Sequence, residues 1–415
     1  MTGRLRAPLG VPLPLGLHFW MNAVVRGELA LLAIYATREA HLGATAAALG
    51  VAYATLVLRF GRTLVAPVVL RLRLRHSIPL CFLAVAGGSI LLASVRSPAS
   101  FFAAVTAIGV GFGACLLVLK VAYVAAADRR QSAVRPLSVL ATSVNLGAAV
   151  GPLFLAGVAS ATGRPAAFAL AGAAALAGAV GAGLVKYGAL DAPARAAAER
   201  HRRLRPRLPW EAWAVLVVTI LAFVLYSQLY ASLPLLAANG GWQGAIGWLF
   251  ALNAVIVILL QVPVGRWLAV DADRRPGAGA AGIALLGLGV IVISVAGSPL
   301  GGALGVALFS VGECLALPTL EAAATATVPV SELGPLLALS AAAMGVGESV
   351  GSFLGVRLSA HATSVHYLHG TAAAVGLAAV VVGATTWTAI ARAERRGRVA
   401  YERLRLAAVT EERRG

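Results

Sequence analysis

The chain has 415 residues, 60% of them hydrophobic and 12% charged, with a mean hydropathy of +0.86 and a formal net charge of +18. A soluble domain carries roughly a quarter charged residues, so this composition excludes an ordinary water-soluble protein and points to one that crosses a membrane many times. All but Lys120 and Lys186 of the 34 basic residues are arginines, which together with the abundant Ala and Gly reads as genome composition rather than function.

In chain order, "MTGRLRAPLG" leads into a first span at 15–37 with no clear cleavage site, so it reads as a retained span and not a removed signal peptide. Within it, "NAVVRGELALLAIY" places Arg26 and Glu28 in apolar surroundings. Further spans are expected at 44–69, with Arg59 and Arg62, and at 77–95, 100–123, 134–160 and 165–186. A polar, basic segment follows, "DAPARAAAERHRRLRPRLPW". The second set lies at 211–236, 243–267, 277–297, 300–325, 335–357 and 368–391. Each run approaches the ~20 residues a helix needs to cross a bilayer. The expected fold is an all-α membrane protein of twelve transmembrane helices in two pseudo-symmetric six-helix bundles. Its parts are a first bundle at 1–190, a linker at 191–209, a second bundle at 210–391 and a basic tail at 392–415.

Basic residues fix the expected orientation. Arg71, Arg73 and Arg75, then Arg129, Arg130 and Arg135, the linker, Arg274 and Arg275, and the tail all fall on one side. The other side holds little beyond Arg38, Arg96 and Arg164, and "ANGGWQG" carries no charge. Both termini are therefore expected in the cytoplasm and the protein in the inner (plasma) membrane. The charge of +18 becomes a topology signal with attraction to anionic lipid, and nucleic-acid binding is not expected. Cys81, Cys115 and Cys314 fall inside spans as small apolar side chains, with no disulfide or metal spacing. No metal or cofactor is expected.

The two halves echo each other. Span five holds "GAAVG" at 147–151 and span eleven "GESVG" at 347–351; span four reads "VGFGACLLVLK" and span ten "VGECLALPTLE". Matches in corresponding spans are what a duplicated transporter shows. On these residues the chain resembles the major facilitator superfamily over nearly its whole length. "GAAVGPLFLAG", with Gly147, Gly151 and Pro152, is similar to the G-x-x-x-G-P motif of the drug/proton antiporter branch. "RGELALLAIYATR", "YSQLYASLPL", "FALNAVIVILLQVPVGRW" and "GECLALP" resemble that branch too. The loop "APVVLRLRLRH" keeps the family's basic residues and lacks its aspartate and glycines. The resemblance implies that spans one, four, seven and ten line a central cavity, that two, five, eight and eleven border the other half, and that three, six, nine and twelve face lipid. The charges within spans obey that division.

An ionisable group at membrane depth is costly unless it is paired or hydrated, which makes each one a functional candidate. Arg26 and Glu28 sit about 200° apart around a helix, so one can face a hydrated cavity while the other meets a neighbouring span. Both read either as structural ion contacts or as substrate or proton groups. A buried carboxylate suits proton carriage because loss of water favours its neutral form and a nearby cation its anion. Glu28 and Glu313 are the candidate proton or substrate groups, and Arg26 the candidate anchor for an anionic group. Lys120 is a candidate too, or it snorkels to the interface. Glu321 is expected to pair with a loop arginine such as Arg275. Tyr226, Gln228 and Tyr230 on span seven would suit an amphiphilic solute, and Asn253 and Gln261 could share one face of span eight. Arg59 and Glu348 are expected to pair across the two halves, with Gly347 and Gly351 allowing spans two and eleven to approach. Gly147, Gly151 and Pro152 read as close packing and a bend.

The expected function is secondary active transport by a chain able to work as a monomer. Its expected partners are a small-molecule substrate, protons and membrane lipid. The antiporter resemblance implies export of an amphiphilic drug or natural product. A sugar, organic-acid or metabolite carrier, an importer included, and a receptor or scaffold with this fold stand as alternatives. No catalytic constellation suggests an enzyme.

Overall fold

The structure, a computed structural model, describes residues 12–40, 42–126, 134–187, 190, 208–270, 275–327, 333–359, 366 and 368–384. The expected linker, except for its last two residues, and the basic tail lie outside them, as do Arg129, Arg130 and Arg274. The side chains of Arg62 and Arg135 are likewise not described.

The first half contains α1 (Pro12–Arg38), α2 (Ala44–Val69), α3 (Leu74–Ala93), α4 (Pro98–Ala126), α5 (Val134–Thr162) and α6 (Arg164–Leu184). The second contains α7 (Trp210–Tyr226), α8 (Gln228–Asn239), a 3-10 turn (Gln243–Ala245), α9 (Ile246–Val270), α10 (Arg275–Val295), α11 (Pro299–Ala326), α12 (Leu333–Ser359) and α13 (Leu368–Ala384). Among the described residues, eleven stretches are long and apolar enough to cross a membrane, and α13 is a shorter apolar helix. Each matches an expected span. Local chemistry marks several starts. Ser298 caps α11 by accepting from the Gly301 N–H at 3.3 Å, and Pro299 follows at the position that needs no donor.

Span seven is not one helix, as the sequence suggests, but two. At the junction the Ser227 hydroxyl and the Gln228 side-chain amide donate to the Val224 carbonyl, at 3.0 and 2.8 Å. Side-chain donors on a ladder acceptor interrupt regular helix, and α8 restarts at Gln228.

Two seams join the halves, α2 against α12 and α5 against α9, and α1 meets α8 between them. These are the expected boundary spans. Inside each half the repeated glycines do the same work. A Cβ on Gly147 would stand 2.7 Å from Asn22 Cβ, and one on Gly151 would collide with the Ala23 carbonyl, so span five lies on α1. Gly347 and Gly351 lie in the same way against the Ile220 and Val224 carbonyls of α7. This corrects the expectation that these two glycines bring spans two and eleven together. Gly345 faces α2 instead, with a Cβ position 2.8 Å from Arg59 Cβ. α3, α6, α10 and α13 expose large apolar side chains, such as Leu83, Val180, Leu288 and Leu377, as helices facing lipid do.

Candidate functional site

Between the halves lies a cavity of about 70 Å³, with Arg26 and Leu29 from α1, Thr55, Leu58 and Arg59 from α2, and Phe112 and Leu116 from α4 on one side. Tyr226 and Tyr230 from span seven, Ser227 between them, and Glu348 and Ser352 from α12 close the other side. Arg59 grips Glu348 with both donors of its fork: Nε reaches Oε2 at 3.0 Å and Nη2 reaches Oε1. The pair expected from the sequence is formed, and a two-bond fork is the strong geometry for a guanidinium and a carboxylate. Glu348 is 7% exposed, so removing Arg59 would strand a buried charge, whereas the Arg59 side chain is 25% exposed at the cavity.

Arg26 differs. Its guanidinium lies over the Tyr230 ring, 5.5 Å from the centroid, and Tyr230 is itself stacked on Phe250 at 4.9 Å. Among the described residues it makes no ion pair, and its Nε is buried without a hydrogen-bond partner. Glu313 and Glu348 act on it only through space. Glu313 accepts from Asn253 Nδ2 at 3.2 Å, and that amide also donates to the Ser310 hydroxyl at 2.9 Å. Tyr226, which lines the cavity, stands beside the Glu313 carboxylate, which does not line it. The centre thus holds two guanidinium groups and two carboxylates, of which one cation and one anion are paired to each other. Arg26 and Glu313 make no ion pair.

Several expected site residues lie elsewhere. Glu28 does not face this cavity; it points into the first bundle, among α1, α2, α3 and α4. The 200° between Arg26 and Glu28 sends one to the cavity and the other inward. Gln228 donates to the Gly351 carbonyl at 2.8 Å and accepts from Ser232 at 2.6 Å, which ties α8 to α12 outside the cavity. Asn253 and Gln261 serve different neighbours, since Gln261 accepts from Asn145 of α5 at 2.9 Å. Lys120 is exposed at the end of α4, away from the cavity. Glu321 is exposed, and Arg275 directs its Nε to the Leu268 carbonyl at 3.2 Å.

Thr55, Ser227 and Ser352 line the cavity without having been singled out, because a lone hydroxyl in an apolar span carries no distinguishing signal. A second polar set was also missed, at the end where α1 finishes. Arg38 donates to Asn239 at 2.6 Å, Asn239 to the Ser359 carbonyl at 2.9 Å, and Arg164 bridges Glu39 and Gln243. Two of the three sparse arginines of that side, Arg38 and Arg164, are thereby used to join the halves.

Comparison with models of known protein families finds no match, and neither does comparison with characterised proteins. Solved structures do match. A POT family transporter in complex with 5-aminolevulinic acid aligns over 92% of this chain and 96% of its own, at 15% identity and a TM-score of 0.74. The POT family transporter PepTSo aligns over 93% and 99%, at 16% identity and 0.74. The peptide transporter POT in complex with sulfate aligns over 95% and 96%, at 18% identity and 0.73. This chain has the major facilitator fold. In the major facilitator fold the cavity above sits where the two halves meet, and the Arg59–Glu348 pair spans that boundary.

Proposed function

We propose that this chain is a secondary active transporter that carries a small acidic solute together with protons, the solute's anion resting on Arg26. The observation that carries the reading is Arg26 itself, a cation at the cavity wall with an aromatic platform beneath it and no ion pair. A guanidinium offers a planar fork that fits a carboxylate or phosphate. The acid and the sulfate named with the solved structures carry the charge that Arg26 would take. At about 70 Å³ the cavity is far below the ~300 Å³ of ordinary ligand pockets, so loading requires the bundles to part. The α2/α12 seam is where they would part, with Arg59 and Glu348 exchanging partners as access alternates.

Charge sets the sense of coupling. An ionised Glu313 competes with a solute anion for Arg26, and a protonated Glu313 does not. Proton and anion then favour one another, which makes co-movement the natural coupling. The second reading is export of an amphiphilic compound in exchange for protons, favoured by the "GAAVGPLFLAG" resemblance. On either reading both termini lie in the cytoplasm, following the arginine distribution.

The test uses purified protein and a panel of small carboxylates, with and without an alkyl or aromatic tail, scored by thermal shift. Hits are then followed by pH change in proteoliposomes. Alkalinisation outside on adding solute supports co-movement, whereas proton release supports exchange. A panel that binds nothing, or moves without any response to collapse of the pH gradient, would overturn the proposal.

A further inference from the structure

Leu29 and Leu58 line two cavities at once. One is the central cavity, and the other is a chamber of about 20 Å³ inside the first bundle. Among the described residues Glu28 is the one ionisable group lining this chamber, whose other walls are apolar side chains such as Leu32 and Leu92 and the backbone at Gly109. Both Glu28 oxygens are buried and lack a hydrogen-bond partner. Ser89 on α3 stands beside the carboxylate, but its hydroxyl donates to the Val85 carbonyl at 2.8 Å. Among the described residues, no charged or titratable group from α2, α3 or α4 lines the chamber to balance an ionised Glu28. An unpartnered charge there would be among the costliest arrangements a membrane protein can hold.

The chamber's size settles its wetting. Holding a water takes ~10–15 Å³ and two to four polar partners. Here the room suffices, but among the described lining residues the carboxyl group is the one polar partner, so the resting chamber does not hold a water. We propose that Glu28 is a second proton-binding site, sealed from the solute cavity by Leu29 and Leu58, and that it exchanges its proton only when those two side chains part and admit water. The proton passes from a cavity water to one carboxylate oxygen and returns by the same route, with no other bond changed. Its purpose rests on the proton coupling proposed above, but its existence does not.

The experiment is infrared difference spectroscopy of the full chain in lipid, with hydrogen–deuterium exchange of the protonated-carboxyl band and no transported solute. A band lost in Glu28→Gln and slow to exchange is expected. Leu29→Ala and Leu58→Ala should each speed its exchange by about tenfold, equivalent to ~1.4 kcal/mol off the barrier. Leu32→Ala and Leu92→Ala, whose side chains line the chamber away from the central cavity, should not. Leu58→Val keeps the test open if Leu58→Ala does not fold. The proposal is overturned by a Glu28 with no such band, or by exchange that is equal in all four truncations. Because no transport is read, an uncoupled transporter and a failed chamber give different results.

Discussion

At the scale of single residues, the centre of the molecule separates a charge that holds structure from a charge that is free to act. Arg59 and Glu348 satisfy one another with a two-bond fork. Removing one partner from a buried pair costs about 3–5 kcal/mol, whereas replacing both with apolar residues is often neutral. Arg59→Met or Glu348→Leu alone should therefore lower the melting temperature in detergent more than the double variant does. Equal losses would mean that water already screens the pair. Arg26, resting on Tyr230 without an ion pair, should give the opposite profile. Arg26→Lys should keep stability and lose solute affinity by about tenfold or more, because lysine lacks the planar fork. The pH dependence follows from Glu313. As pH falls and Glu313 takes up a proton, its pull on Arg26 disappears and an anionic solute binds more tightly. Glu313→Gln should bind at the tighter level at every pH, measured by isothermal titration with a carboxylate hit from the panel. Retention of the wild-type slope in that variant would remove Glu313 from the coupling.

At the scale of helices, the duplicated G-x-x-V-G is an axle on each side. Gly151 meets the Ala23 carbonyl of α1, and Gly351 meets Val224 of α7, in both cases backbone against backbone. Gly151→Ala should cost about 1–3 kcal/mol because a carbonyl cannot move aside as a side chain can. Gly157→Ala, where a Cβ meets open space, should be neutral or gain about 0.4–1 kcal/mol from the stiffer unfolded chain. Opposite shifts in thermal unfolding check the pair. These two glycines also mark how far sequence reaches. Hydropathy length placed every span, because it follows from the cost of polarity in lipid, and the charges within spans, set on the helix arrangement that the family resemblance implies, placed Arg59 opposite Glu348. Which helix a glycine leans on does not follow, since Gly345, Gly347 and Gly351 look alike in sequence and only the first faces α2. The break at Ser227 and the inward turn of Glu28 were hidden for a related reason. Both depend on which carbonyl or wall a side chain meets after packing.

At the scale of the whole molecule, the end where α1 finishes is closed by two kinds of contact, one polar and one apolar. Where α1 finishes, Asn239 accepts from Arg38 of the first half and donates to the Ser359 carbonyl of its own half. Arg164 holds Glu39 within the first half and reaches across to Gln243, at 3.3 Å, in the second. Hydrogen bonds to charged groups contribute roughly 1.5–3 kcal/mol each. Beside them the seam is apolar and tight, with a Cβ at Gly247 only 3.0 Å from Leu153 Cα. If the polar bonds set the balance between states, Arg38→Ala with Arg164→Ala should open this end, because each ~1.4 kcal/mol removed shifts the populations tenfold. Spin labels at Thr162 and Gly244, exposed positions on opposite halves, report the distance. The three native cysteines are buried and should leave labelling selective. A new, longer distance in the double variant is the expected result, together with faster loading of solute from that side in proteoliposomes. A distance distribution unchanged by the loss of both arginines would place the latch in the Gly247–Leu153 contact, where α5 and α9 touch.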